Sequence, residues 1–386
     1  MLLPHIIMGL YIGKSVPEKA DRKLLEMIQS VEVNQSDDRG AGANPGFQLT
    51  FAANRARGRS ADYGLLKDPR LAAGNRVVIT ITIAARPRVL MDGIITHQQL
   101  PFGDGNGDAS LTVTGHDLGI LMDLEEKTTG YKDMKHKEVV EQILKEYTKF
   151  GITADVQTPT TKWPLNPPKQ MPTQHGITDR AYLRALAAAN DFIFRLQPGP
   201  TPGKSVAYWG PPQRKGERQR ALSVNLGTGT NVETIHFAAD ALAPTTVAGA
   251  VPDANTDDPT KVQNMTSQVK PVLAKNPALT ENRTLLRTIW LGYAGPDANE
   301  AKARAQAITD QSTDRAVTCS GTLDTLRYGE LLTVPGIVDV RGAGASYDGE
   351  YTVESVKHRI SVAEYKQEFT LKREGLGTTI QKVNTR

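Results

Sequence analysis

The chain has 386 residues, more than one ordinary hydrophobic core accommodates, so two to four domains are expected. Its 46 basic and 42 acidic side chains leave a net charge of +4 with no long single-sign block, too small a bias to imply nucleic acid. The single cysteine, Cys319, excludes an intrachain disulfide, and no window approaches 18 uninterrupted apolar residues, so no membrane-spanning helix is expected.

In chain order, MLLPHIIMGLYIG (1–13) contains Pro4 and His5 without a leading Lys/Arg region, so it reads as a first strand rather than a leader. The chain is accordingly expected to be made in the cytoplasm with no targeting signal of its own. From Ile28 to Asp117 the hydrophobic period is mostly two: Phe47, Leu49 and Phe51 alternate with polar neighbours, as do Val77, Ile79, Ile81 and Ile83. The turn-rich stretches 37–46 and 101–108 read as hairpin loops between these strands.

The period then changes. HKEVVEQILKEYTKFG (136–151) puts Val139, Val140, Ile143, Leu144 and Tyr147 on one helical face, with Gly151 where a helix end favours a left-handed residue. A second helix, Asp179 to Asn190, follows the candidate N-cap Thr178 and leads to strands at 191–196 and 205–209. Residues 241–282 lack periodicity and read as a long loop or insertion, and 297–310 as a helix whose Asp297 and Glu300 fit a capping box.

A strand cassette occurs twice. The first copy runs from Gly74 through 76–83 and 89–97 to 110–117; the second from Gly329 through 330–336 and 347–360 to 364–374. Both carry Asp-Gly at the middle strand, Asp92-Gly93 and Asp348-Gly349. Two copies about 256 residues apart suggest two similar surfaces rather than one pocket.

No constellation for catalysis emerges. The seven histidines include no i, i+4 pair and no HExxH, and no nucleophile elbow, Walker loop or dinucleotide fingerprint is present. His97 and His116 lie near Asp92 and Asp117 but read as rim histidines, and Asp123, Glu125 and Glu126 in MDLEEK read as a solvated helix start rather than a glycosidase pair. No catalytic, cofactor-binding or metal-binding residue is therefore expected. The basic clusters 54–59 and 213–220 read as solvated loops.

Two stretches carry a resemblance: QHGITDRAYLRALA (174–187), followed by the strand residues Phe192-Ile193-Phe194, and YDGEYTVESVKHRIS (347–361) with EYKQEFTLKRE (364–374). In this order, they resemble the hub proteins of contractile tails, the late-control protein D family and the N-terminal part of VgrG spike proteins. The resemblance implies a mainly β chain with an α/β insert: two tube-protein-like antiparallel β-barrels at 1–122 and 236–376, a middle α/β domain at 123–235, and a tail at 377–386. It further implies a non-enzymatic homotrimer in which three copies of two barrels match a sixfold inner tube. Expected partners are the tube protein, a separate spike protein, baseplate or wedge proteins, and tape-measure protein or cargo in the channel, with neither membrane nor nucleic acid. The particle is expected to assemble in the bacterial cytoplasm. The alternatives are a tail-associated peptidoglycan hydrolase and a carbohydrate-binding β-sandwich adhesin.

Overall fold

Alternating apolar side chains in the first third do form strands, as seen in a computed structural model that describes residues 2–3, 6–14, 16–37, 45–53, 63–101, 109–159, 173–214, 218–252, 259–264, 266–281, 283–292 and 298–379. The first unit contains β1 (Ile6–Gly13), β2 (Ile28–Ser36), β3 (Gly46–Ala53), β4 (Arg76–Ile83), β5 (Arg86–Gln99) and β6 (Ala109–Asp117). Its antiparallel sheet runs β1-β4-β5-β6-β3-β2 and curls around one apolar core. Val31, Val33, Leu49, Phe51, Val77, Ile79, Ile81, Leu111 and Val113 are fully buried there, and Leu24, on the short helix Arg22–Glu26, packs against the same core. Burying each such side chain contributes about 1.5–3 kcal/mol.

The middle domain follows with β7 (Glu126–Gly130), α1 (His136–Lys145), β8 (Ile152–Val156), β9 (Thr173–Thr178), α2 (Asp179–Ala189), β10 (Ile193–Pro198) and β11 (Ser205–Gly210). The apolar face of α1 is buried as its periodicity requires, and Gly151 closes the following turn at φ 78°. Thr178 caps α2 by accepting from the Ala181 amide, and Tyr182, Leu183 and Leu186 pack beside Trp209. The expected strand at 191–196 starts two residues later, because Asp191 takes a left-handed φ of 53° in the turn.

The second unit comprises β12 (Arg218–Ser223), β13 (Thr234–Ala239), an insertion, β17 (Val317–Asp324), β18 (Ile337–Arg341), β19 (Gly349–Ser361) and β20 (Tyr365–Arg373). The insertion has β14 (Thr245–Pro252), β15 (Pro259–Asn264), β16 (Arg287–Leu291) and α3 (Ala298–Asp314). The sheet order of this unit is β12-β18-β19-β20-β17-β13. Position for position, this repeats the first unit's order of strands one, four, five, six, three, two. Even an irregularity recurs: the ladder between strands five and six slips at Ile95/His97 in the first unit and at Val353/Ser355 in the second. Only the opening strand departs, since β1 lies antiparallel to β4 while β12 lies parallel to β18.

The repeat is real in topology but differs in detail from the cassette read in the sequence. Residues 330–336 form no strand: Pro335 cannot donate to a ladder, and the Leu332 and Thr333 amides bond the side chains of Gln367 and Gln219 instead. The strand begins at Ile337. Matching the bulges makes His97 equivalent to Ser355, so the two Asp-Gly pairs are not counterparts. Asp92-Gly93 lies inside β5, whereas Gly349 opens β19 at φ 127°. The stretch 241–282 does belong to an insertion, but it is not a loop. Small side chains in TTVAGAVP hide a strand, β14, whose parallel partner β16 comes some forty residues later, and α3 covers the pair. Asp297, the expected cap of α3, and the basic run 54–59 lie outside the described residues, as do 38–44, 102–108, 215–217 and 380–386 of the segments named above.

Both units are joined in one sheet. β2 pairs antiparallel with the C-terminal half of β19, from Ser36 opposite Ser355 to Ser30 opposite Ser361. The tip of the β19–β20 hairpin then delivers Ile360 and Tyr365 into the first unit's core.

Candidate channel-facing surface and its anchors

Strand alternation gives the joined sheet two unlike faces. One face carries the apolar residues of both cores. The other is a polar band across eight strands: His97 and Gln99; Thr112 and Thr114; Gln48 and Thr50; Ser30, Glu32 and Asn34; Ser355, Lys357 and Arg359; Lys366, Glu368 and Thr370; Ser320 and Thr322; Thr234 and His236. These side chains are half-buried or exposed. Charges on the band are paired across strands, Lys357–Glu32 at 2.7 Å, Arg359–Glu368 at 3.1 Å and Lys366–Glu233 at 3.3 Å. Such exposed pairs add little stability. Their consequence is a wall without a dominant charge. A shallow depression of about 440 Å³ crosses it between Asn34 and His236.

Two anchoring networks hold this wall. In the first, the 174–187 segment docks the middle domain onto the first unit. Asp179 is buried and accepts from Tyr147 Oη at 2.7 Å, Lys127 Nζ at 2.7 Å and Gln174 Nε2 at 3.0 Å. Burial alone would lower the Lys127 pKa, but the Asp179 and Glu146 carboxylates outweigh it and raise it; burial, reinforced by Asp179, raises that of Tyr147. Arg180 reaches Asp117 at 3.3 Å and Asp123 at 3.4 Å, and Thr178 donates to Asp123 at 2.9 Å. Nearby, Arg76 grips Asp92 through two bonds of 2.6 and 2.7 Å, donates to the Phe150 carbonyl and shares Asp92 with Ser205.

The second network joins four parts of the chain. Lys372 Nζ lies 2.6 Å from Asp37, 3.5 Å from Asp314 and 3.6 Å from Glu354. Arg214 pairs with Asp314 and with Glu374, and Arg315 with Glu354 at 3.1 Å. Glu374 also accepts the Leu273 and Ala274 amides, tying down the insertion. Lys372 belongs by alternation to the polar face, yet α3 covers it. A lysine on the polar side of FTLKRE gives no sign in the sequence that a helix sixty residues upstream buries it.

The histidines and carboxylates weighed in the sequence are not assembled for catalysis. His97 and His116 lie on the polar band, whereas Asp92 and Asp117 are committed to Arg76 and Arg180. Asp123 is held by Thr178 and Arg180, and Glu125 and Glu126 are exposed but start no helix: Glu126 opens β7, whose backbone pairs with β9. Among the described residues no cluster of His, Cys, Asp and Glu could hold a metal, and no helix is long and apolar enough to cross a membrane. Of the other histidines, His136 is half-buried, and the partial burial lowers its pKa to about 4; His358 is buried, lowered by that burial to about 3 and bonded to Tyr365 Oη at 2.9 Å. Cys319 is buried, its thiol pushed up to about 12 by that burial, as expected for a small core residue.

A repeated sheet with one polar wall, buttressed by an α/β domain, defines a structural hub rather than a pocket protein. The sequence model for the phage tail baseplate hub (GPD) family matches residues 55–364, and the chain belongs to that family. Its fold is similar to that of a tail protein from Neisseria meningitidis MC58, with 15% identity, a TM-score of 0.65, and coverage of 96% of this chain and 98% of that one. The 43 kDa tail protein of prophage MuSo2 from Shewanella oneidensis gives 13% identity, a TM-score of 0.62 and the same coverage. A third similar structure is the E. coli c3393 protein, described as a component of the type VI secretion system, with 13% identity, a TM-score of 0.51, and 93% and 76% coverage. No curated protein sequence matches the chain. The protein is thus a tail component that acts as a baseplate hub.

Proposed function

We propose that this hub works as a homotrimeric symmetry adapter, three chains presenting six barrel-like units to a sixfold inner tube on one side and to a threefold spike on the other. The observation that carries this reading is the shared strand order of the two units, which gives each chain two quasi-equivalent positions about 60° apart in a ring. The polar band then faces the channel, where its paired charges and Thr/Ser side chains offer tape-measure protein or cargo little to stick to. Baseplate proteins contact the outer surface, and assembly takes place in the bacterial cytoplasm. The chain does this without catalysis.

Imaging the assembled baseplate tests the ring: three copies and six superposable units are expected, and two copies would overturn it. Replacing His116 or Glu125 by Ala in assembled particles is expected to leave cell-wall cleavage and infection or injection unchanged. Loss of cell-wall cleavage by correctly assembled variants would restore the hydrolase reading.

A further inference from the structure

Each chain contains one completed seam between units and the two halves of another. Inside the chain, β2, the last strand of the first unit's sheet, pairs with the C-terminal half of β19. The corresponding edge of the second unit is β13, which has only β17 as ladder partner among the described residues and exposes most of its side chains. The counterpart of β19 is β5. Its pairing with β4 ends at Ile94, and among the described residues His97–Gln99 have a ladder partner only in β6.

We propose that β13 of one copy adds to residues 97–100 of a second copy, repeating between chains the seam that β2 and β19 make within one. This rests on the ring reading above and specifies its contact. The shared bulge fixes the register, with His97 matching Ser355 and Gln98 matching Val356. Following partners across the sheet, Gln98 faces Val113 and Leu49 faces Val113, while Val356 faces Phe369 and Gly321 faces Phe369. Val31 opposite Leu49 therefore matches Ile235 opposite Gly321. Within the chain, Ser355 faces Ser36 and His358 faces Val33. Between chains, His97 then faces Asp240, Gln99 faces Ala238, and Leu100 faces Phe237.

The chemistry of these positions agrees with the register. His97 and Asp240 are both exposed and bring an imidazole opposite a carboxylate. Leu100 and Phe237 each rest half-buried against their own unit's core, so the contact extends both cores across the boundary, as His358 and Val33 do inside the chain. A second copy suits the open edge because only another such unit brings the matching free strand.

The test is a disulfide in the assembled hub. Chains carrying Gln99→Cys together with Ala238→Cys are expected to yield linked dimers and trimers on a non-reducing gel after mild oxidation. Each single variant should remain at monomer size, since Cys319 is buried. Pairing Gln99→Cys with Ala239→Cys, which sets the thiols on opposite faces, should not link. Native mass measurement separates the two ideas. Three-copy assemblies without the 99–238 link would overturn this seam but leave the ring standing, and failure to find three copies would overturn both.

Discussion

The two units share one strand order but are held in different ways. The first is held by one apolar core, with its buried charges, Arg76, Asp92 and Asp117, gathered at the edge shared with the middle domain. The second keeps an apolar core of its own yet buries Lys372, Arg373, Glu354 and Glu374 along its border with the insertion and the linker from the middle domain. Arg373 lies over Tyr351, 4.3 Å from the ring centre, and donates to the Asp348 and Ser346 carbonyls. Topology can be copied while the means of stabilisation diverge, because only the second unit has to receive three other parts of the chain.

The largest effects should break this contrast most clearly. Lys372→Met leaves Asp37, Asp314 and Glu354 without their shared cation and should cost about 3–5 kcal/mol. Phe51→Ala in the first core should cost a similar amount, about 3–5 kcal/mol. Chemical denaturation of further variants distinguishes them. The Lys372 loss should be largely recovered by Lys372→Arg, which keeps a cation among the three carboxylates, whereas no polar replacement should recover the Phe51 loss.

A smaller test uses a motif that the units share with its halves exchanged. Phe47 on β3 lies over Gly115 on β6, while Phe369 on β20 lies over Gly321 on β17. Gly115→Ala and Gly321→Ala would each drive a methyl group into the facing ring and a neighbouring backbone carbonyl. Each should cost about 1–3 kcal/mol, read as a lowered melting temperature. Equal losses would show that the pair serves both units alike.

Acid should act on the boundary between the units. His358, the counterpart of Leu100, and His136 remain neutral in the fold down to about pH 3 and 4, while in the unfolded chain they bind protons below about 6.5. Unfolding therefore takes up protons between those values, and stability falls as pH drops through that window. His358→Asn should flatten the decline below pH 6.5 in a thermal-melt series. The mildest change is in the β4–β5 turn, where Ala84 and Ala85 take left-handed φ values of 48° and 62°. Ala85→Gly should stabilise the chain by about 1 kcal/mol, with no counterpart gain in the second unit.

What the sequence made legible follows local chemistry. Alternation located β3 and β4, the 3.6-residue period located α1, and Thr178 marked the start of α2. The 174–187 segment pointed to the family, but nothing in it showed that Asp179, in the first turn of α2, is also the buried acceptor for three donors. What stayed hidden was non-local. The pairing of β14 with β16, the covering of Lys372 by α3 and the seam of β2 with β19 each depend on residues far apart in the chain. The polar band itself was half visible, as the polar members of each alternating strand, but nothing in one strand says that eight of them will align.

The seam between β2 and β19 also sets a schedule for synthesis. Gln35 meets His358, 323 residues later. At roughly 5–20 residues per second, the ribosome exposes β2 for about 16–65 s before its partner emerges. During that time the strand is an open edge on a nascent protein, with nearby polysomal copies offering the same unpaired backbone. Glu32 places a charge along that edge, the kind of side chain that blunts edge-to-edge pairing.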